Sequence, residues 1–142
     1  MDDRALILET NRNFYRAMAA SDMRLMDEVW LHAEFVGCVH PGWSQLSGWK
    51  AVRESWVEIF ADGQPMQIMP SQVVIHCDHD TAWVTCVENI TTHGEDAWQY
   101  SIAQATNVFQ RVNDGWKLVH HHASAMPPPE AQGWHNEEIS SN

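Results

Sequence analysis

Residues 106–124 read TNVFQRVNDGWKLVHHHAS, and this stretch determines how the last part of the chain folds. Apolar and polar side chains alternate on both sides of residues 113–115, which indicates two antiparallel strands joined by a tight turn. Gly115 is expected to take the left-handed backbone conformation that such a turn needs. Residues 98–112 and 116–124 are therefore predicted to form a hairpin.

Three consecutive histidines lie on the second of these strands. Because neighbouring residues of a strand point to opposite faces, His120 and His122 should lie on one face and His121 on the other. The first face would also carry Trp116, Leu118 and Ser124, and the second would carry Val119 and Ala123. His120 and His122 have a spacing that permits chelation, but no supporting third ligand is evident. We therefore predict structural, hydrogen-bonded histidines and no metal.

Outward from the hairpin, the hydrophobic period divides the chain into a helical part and a strand part. Period-two segments at 66–77 and 81–92 precede the hairpin. Three amphipathic helices are predicted before them: residues 3–19, a second helix capped by Ser21-Asp22, and a third capped by Ser47 and ended by Asp62-Gly63. A short strand at 34–40 separates the second helix from the third. This order predicts an α+β domain over 1–125, with three N-terminal helices packed on a curved antiparallel sheet, and an extended acidic tail over 126–142.

Composition excludes several kinds of partner. The net charge is −11, with only eight Lys and Arg, so DNA, RNA and acidic membranes would be repelled. No apolar run approaches the length of a membrane span. Three widely spaced cysteines suit reduced thiols, so a cytoplasmic location is expected. Eight tryptophans provide aromatic side chains for a core or a ligand pocket.

The order of elements resembles the nuclear transport factor 2-like superfamily, and in particular its SnoaL-like proteins and the association domain of calcium/calmodulin-dependent protein kinase II. The resemblance covers about residues 5–125 and is carried by FYRAMAASD, VHPGWSQLSGWKAVRESW and the closing W-x-x-V-H-x-H-x-S motif. It implies a cone-shaped, cystatin-like α+β fold, a homodimer formed through the sheet, and an apolar pocket between sheet and helices. Relatives include isomerases, dehydratases and cyclases as well as association modules, so fold alone does not decide function.

The same resemblance implies catalytic positions. His40, before Pro41, matches the proton-abstracting base of ketosteroid isomerase, and Asn107 matches its oxyanion-stabilising acid. The first-helix tyrosine of that enzyme falls on Phe14, with Tyr15 one step from the expected face. His40 could equally be a ligand contact or a structural residue.

Two further interior candidates, Glu88 and His121, come from the pocket-facing positions of the kinase association domain. Glu88 shares its strand face with Ala82, Val84 and Cys86, and its pKa should be raised if it is buried rather than reaching water. Cys38 and His40 lie two residues apart and share a strand face, which permits a thiol–imidazole pair. The residues expected to line the pocket are Tyr15, Trp30, Trp43, Trp56 and Phe109.

These residues predict a pocket for a small neutral organic molecule and no cofactor. If the protein is an enzyme, the expected reaction is proton transfer next to a carbonyl, in an isomerase, dehydratase or cyclase of the ketosteroid-isomerase type. The alternative is a non-catalytic association module. An open pocket holding His40 and Asn107 favours the enzyme, and a pocket plugged by Trp56 and Met66 favours the association module.

Overall fold

A computed structural model describes residues 2–127, and these form three helices and six strands. The helices are α1 (Asp3–Ala20), α2 (Met23–Val29) and α3 (Trp49–Ala61). The strands are β1 (Gly37–Val39), β2 (Leu46–Ser47), β3 (Met66–Asp78), β4 (Thr81–His93), β5 (Trp98–Val112) and β6 (Gly115–Met126). The predicted α+β class and order of elements are confirmed. The predicted tail begins inside β6, and its residues 128–142 lie outside the described part of the chain.

All six strands belong to one sheet, in the order β2-β1-β6-β5-β4-β3. The long strands β3 to β6 form the expected antiparallel meander. The sheet is nevertheless mixed, because β1 lies parallel to β6 and pairs Cys38 with His121. Helices α1, α2 and α3 all pack against the sheet, so the interior lies between one sheet face and the helices. Within residues 2–127, no helix has the length and apolar character needed to span a bilayer.

Side-chain caps begin the first two helices. Asp2 accepts a hydrogen bond from the backbone N–H of Ala5 at 2.8 Å, and Asp22 accepts one from Leu25 at 3.1 Å. The cap expected at Ser47 for α3 is wrong. Ser47 pairs with Gly37 in the β1–β2 ladder, and the cap residue is Gly48, which makes no side-chain bond. Gly48 has a φ of 89°, which only glycine adopts without strain.

A bulge in β6 changes the predicted side-chain faces. Val108 pairs with His120 but Phe109 pairs with Leu118, so Val119 is an extra residue on β6. The alternation therefore resets, and Leu118 lies on the same inner face as His121. Trp116, Leu118, His121 and Ala123 are all buried. The assignment of Trp116 and Leu118 to the face of His120 and His122 is therefore wrong.

The β5–β6 turn also differs from the expectation. Asn113 has a φ of 56°, whereas Gly115 has no positive φ and already belongs to β6. Asparagine tolerates the left-handed region better than other non-glycine residues, because its side chain bonds locally to the backbone. Asn113 therefore provides the turn conformation that was expected of Gly115.

Aromatic rings form the centre of the core. Phe14 makes edge contacts with Trp30 at 6.3 Å and with Trp56 at 5.7 Å between ring centroids. All three side chains are fully buried, and Phe109 is buried with them. Edge-to-face packing of this kind is favourable beyond the area that it buries. Trp30, Trp56 and Phe109 therefore stabilise the fold, whether or not they also contact a ligand.

Candidate functional site

The sheet places three of the four candidate catalytic side chains on one inner face. Asn107 of β5 pairs directly with His121 of β6 and with Val84 of β4. Glu88 is the next inward position after Cys86 along β4, on the face that it shares with Val84. All of these residues are buried, and Glu88 is only 1% exposed. Glu88 is therefore buried, which is one of the two alternatives that the sequence left open.

Tyr15 of α1 completes this interior group. Its hydroxyl donates a hydrogen bond to Glu88 Oε2 at 2.7 Å and accepts one from Asn107 Nδ2 at 3.1 Å. The sequence placed Tyr15 one step from the expected face, yet both Phe14 and Tyr15 are buried. Adjacent helix positions are 100° apart, so both can face inward where a helix lies in a concave sheet. Tyr15 is therefore the hydroxyl donor to the interior carboxyl.

Hydrogen-bond donors and acceptors determine the tautomer of His121. Asn107 uses its two amide hydrogens for Asn11 Oδ1 at 2.9 Å and for Tyr15, so its Oδ1 must accept from His121 Nδ1 at 2.6 Å. Neutral His121 therefore carries its proton on Nδ1, and the lone pair of Nε2 lies 4.0 Å from Glu88 Oε2. For the oxyanion role expected of Asn107, one of the two hydrogen bonds that its side-chain amide donates would have to break.

His40 lies directly after β1 and is held by α3. Ser55 of α3 donates its single hydroxyl hydrogen to the Val52 carbonyl at 2.6 Å, so it must accept from His40 Nε2 at 2.9 Å. Neutral His40 therefore has an unprotonated Nδ1. The sulfur of Cys38 lies 3.7 Å from Nε2 and 4.0 Å from Nδ1, so the two side chains do lie together as expected.

Burial shifts the pKa values of these groups in opposite directions. It raises the pKa of Glu88 to about 7, although the hydrogen bond from Tyr15 favours the charged form. It lowers the pKa of His40 to about 4 and that of His121 to about 3, with the charge of His40 adding to the effect on His121. Burial also raises the pKa of the Cys38 thiol, so that thiol stays protonated at neutral pH. At neutral pH, Glu88 is the interior group that is closest to half-ionised.

Aromatic side chains occupy the space around these polar groups. The ring of Trp56 contacts His40 at 4.6 Å, His121 at 6.3 Å and Phe14 at 5.7 Å. The open pocket expected around His40 and Asn107 is thus filled by aromatic rings in this conformation, and both residues are at most 5% exposed. Trp43 is 42% exposed and packs its edge on His40, so it lies at the outer end of the group.

A cavity of about 370 Å³ opens next to this group, between the end of α3 and strands β3 to β5. Its wall includes Phe60, which packs on Trp56 at 5.8 Å. The cavity is lined by Ser21, Ile59, Phe60, Asp62, Gln64, Met66, Thr92, His93 and Gln99. Met66, which with Trp56 would plug the pocket of an association module, is one of these wall residues.

Two site residues, Asn11 and Ser55, were not found from the sequence. Asn11 lies within the apolar stripe of Ile7 and Phe14, and Ser55 lies between Val52 and Trp56. A small polar residue in the buried face of a helix needs a hydrogen-bond partner. Its presence in that face was the feature of the sequence from which both residues could have been found.

His120 and His122 lie on the outer face of the sheet, with ring centroids 6.4 Å apart. They line a shallow outer cavity with Gln104, Thr106 and Ser124. Across residues 2–127, no group of three or more His, Cys, Asp or Glu side chains is arranged to hold a metal ion.

A comparison with protein families places this chain in a known class. The family model of the SnoaL-like domain matches residues 7–129, which is most of the 142-residue chain. The chain belongs to the SnoaL-like domain family.

Solved structures agree with this assignment. A proposed dehydratase from the nuclear transport factor 2-like family of Streptomyces avermitilis is 36% identical, with a TM-score of 0.82, over 87% of this chain and 96% of that one. A proposed calcium/calmodulin-dependent protein kinase type II association domain from Thiobacillus denitrificans is 30% identical, with a TM-score of 0.70, over 83% and 93% of the two chains. A cystatin-like protein from Novosphingobium aromaticivorans, 18% identical over 91% and 85%, shows the fold alone at a TM-score of 0.72. The expected cystatin-like fold is confirmed.

A curated relative is longer than this chain. The F-box protein SKIP8 of Arabidopsis thaliana is 30% identical over 120 residues, which cover 84% of this chain and 49% of that protein. The chain thus spans about half the length of the curated relative that it matches.

Proposed function

We propose that this protein is a cofactor-independent dehydratase or isomerase that moves a proton next to the carbonyl of a small neutral molecule. The observation that carries the proposal is Glu88, buried in an aromatic interior, with a pKa of about 7 and a hydrogen bond from Tyr15. A general acid–base group works best when its pKa is close to the working pH. Glu88 meets that condition better than His40, whose pKa is about 4.

The surrounding groups support a proton-transfer role for Glu88. As a carboxylate it would accept a proton from carbon, and as an acid it would return that proton to carbon or to a departing hydroxyl. Tyr15 donates to the same carboxylate, and the unprotonated Nε2 of His121 lies 4.0 Å away. His121 is held in this tautomer by Asn107. His40, with an unprotonated Nδ1, would provide a second acceptor.

Charge supports a neutral substrate. None of the eight Lys and Arg side chains is buried, so the interior holds no cation to pair with a ligand carboxylate or phosphate. Glu88 would repel such an anion. The similar protein from Streptomyces avermitilis is described as a proposed dehydratase, which agrees with this reaction class.

Hydrogen exchange tests proton abstraction without knowledge of the natural substrate. A panel of neutral ketones, including acetophenone, is incubated with the protein in D₂O, and loss of the protons next to the carbonyl is followed by NMR. We expect exchange with at least one ketone, and a loss of about a hundredfold or more in the rate for Glu88→Gln.

The control variant is Glu54→Gln, which changes an exposed carboxyl on α3 and should leave the exchange rate unchanged. The proposal is wrong if no ketone exchanges faster than it does without protein, or if Glu88→Gln exchanges as fast as the wild type.

A second candidate function, association without turnover, is favoured by the filled interior and by the outer sheet face. That face exposes Met69, Val74, Trp83, Trp98 and Tyr100, each at least 42% exposed. Exposed apolar side chains on a sheet face commonly mark protein interfaces. We propose a homodimer formed through this face, which either function could use.

The free thiols of Cys38, Cys77 and Cys86 support a cytoplasmic location.

Trp83→Glu tests the dimer. We expect this variant to sediment as a monomer at concentrations where the wild type is a dimer, because a charge would be desolvated at the interface. Val57→Glu is the matched control, since Val57 is 41% exposed, against 42% for Trp83, but lies on α3. A monomeric wild type, or equal effects of the two changes, would contradict the interface.

A further inference from the structure

Two buried donors in the described part of the chain have no hydrogen-bond partner: the indole Nε1 of Trp30 and the indole Nε1 of Trp56. Both side chains are at most 1% exposed, so water from the surface does not satisfy them. An unpaired buried N–H is destabilising, and in native proteins such a group usually has an explanation. One explanation is an acceptor that arrives with a ligand.

The surroundings of Trp56 suit a ligand that is apolar except for one acceptor. Its ring lies against His40 at 4.6 Å and against Phe14 and Phe60 at 5.7 and 5.8 Å. Tyr15, Asn107 and Ser55 already use their hydrogens within the protein. Among the interior side chains described here, the Trp56 indole is thus the N–H that lies beside a titratable group and remains free for an acceptor.

Phe60 stands between Trp56 and a surface cavity. Phe60 packs on Trp56 and at the same time lines the cavity of about 370 Å³ at the end of α3. Phe60 is only half-buried, although it packs against the core. A ligand in that cavity would reach the indole by displacing Phe60.

We propose that the Trp56 Nε1–H binds the carbonyl oxygen of a neutral, mainly apolar ketone that enters past Phe60. This inference rests on the proposed function and names its substrate class. The Trp56 ring lies 4.6 Å from that of His40 and 6.3 Å from that of His121, so a carbonyl held by this donor would lie near the group in which proton transfer is proposed. The N–H stays neutral and polarises the carbonyl, so the site selects a ketone over a hydrocarbon of the same shape.

Trp30 provides a matched comparison. It is the other buried indole with a free N–H, but its ring contacts are with Phe14 and Trp49 and not with His40. Replacement of either tryptophan by Phe removes the N–H and keeps an aromatic ring. A general effect of losing an indole should therefore appear in both variants.

Acetophenone and ethylbenzene are the probes, because they differ mainly in the carbonyl oxygen. Their dissociation constants are measured by NMR titration with the wild type, Trp56→Phe and Trp30→Phe. We expect the wild type and Trp30→Phe to prefer acetophenone by about tenfold, the value of one good hydrogen bond. Trp56→Phe should lose that preference.

The indole N–H signals provide a second readout that does not depend on variant stability. Acetophenone should shift the Trp56 N–H signal of the wild type downfield, and ethylbenzene should not. The inference is overturned if the wild type binds the two probes equally or binds neither, or if Trp56→Phe keeps the preference. It is also overturned if the Trp56 signal reports only bound water. Ketone preference without hydrogen exchange would instead leave this binding site intact and contradict the proposed catalysis.

Discussion

The hydroxyl of Tyr15 contacts three other side chains of the interior. Its hydroxyl donates to Glu88 Oε2, accepts from Asn107 Nδ2, and lies 3.2 Å from the sulfur of Cys86. Burial and the nearby Glu88 charge raise the pKa of Tyr15 above its ordinary value, so it remains a donor at all ordinary pH values. Tyr15 therefore controls how strongly Glu88 holds its proton.

Tyr15→Phe is expected to raise the pKa of Glu88 above about 7, because the hydrogen bond that favours the carboxylate is lost. A carbon-detected NMR titration of the glutamate carboxyl measures it. Tyr100→Phe is the control, since Tyr100 is the other tyrosine of the chain and donates to Asn89 at 2.9 Å on the outer face, the opposite side of the sheet from Glu88. An unchanged or lower pKa in Tyr15→Phe would show that burial alone determines it.

The contact between β1 and β6 holds His40 against the interior group. These strands pair in parallel over Gly37–Val39, with Cys38 opposite His121, and His40 follows the paired region where Ser55 of α3 contacts it. Parallel neighbouring strands cannot be joined by a tight turn, and here β2, α3 and strands β3 to β5 lie between β1 and β6 in sequence. The close approach at Gly37 is a consequence: a Cβ there would meet His120 Nδ1 at 2.8 Å.

Gly37→Ala is expected to destabilise the protein by about 1–3 kcal/mol, the usual cost of overpacking. His120→Ala in the same chain should recover most of that loss, because the clashing ring is removed. Urea unfolding of the single and double variants measures the coupling.

His122→Ala provides the control for this pair. His122 lies on the same face and pairs with Val39 rather than Gly37, so it should give no recovery. Equal recovery by both alanine variants would mean that the clash is not local.

The whole domain responds to pH through opposed interior groups. Glu88 has a folded pKa of about 7 against an ordinary value of 4.5, so its stabilising contribution is present below 4.5 and is lost as the pH rises through 7. His40 and His121 have folded pKa values of about 4 and 3 against 6.5, so their contribution is present above 6.5 and is lost as the pH falls. Between pH 4.5 and pH 6.5, the two histidines make the folded state more stable as the pH rises, and the one carboxyl makes it less stable.

The free energy of unfolding should therefore rise with pH in that window, by about 1 kcal/mol per pH unit from these three groups. Glu88→Gln removes the opposing group, so we expect its slope to be about twice as steep. Urea unfolding at several pH values from 4.5 to 6.5 measures both slopes. Identical slopes in the two proteins would show that Glu88 titrates normally.

Local periodicity was sufficient to place most elements of this fold. The helices and long strands follow from spacing within the chain. The inward direction of Asn107, Glu88 and His121 was expected from the resemblance to the kinase association domain, with strand parity relating His121 to Ala123. Asp22 as a cap and the pairing of Cys38 with His40 are short-range features.

Contacts between distant residues decided the rest. The bulge at Val119 depends on the fit of β6 against β5, and no periodic pattern announces an extra residue. Tyr15 meets Glu88 across 73 residues, and His40 meets Ser55 only once β1 lies under α3. The pKa of Glu88 and the filling of the pocket by Trp56 follow from desolvation and packing, which are properties of the assembled interior and not of any segment. Spacing along the chain thus determined the helices and the long strands, and only the tertiary structure decided where the strand faces reset, which inward side chains touch and which protons they share.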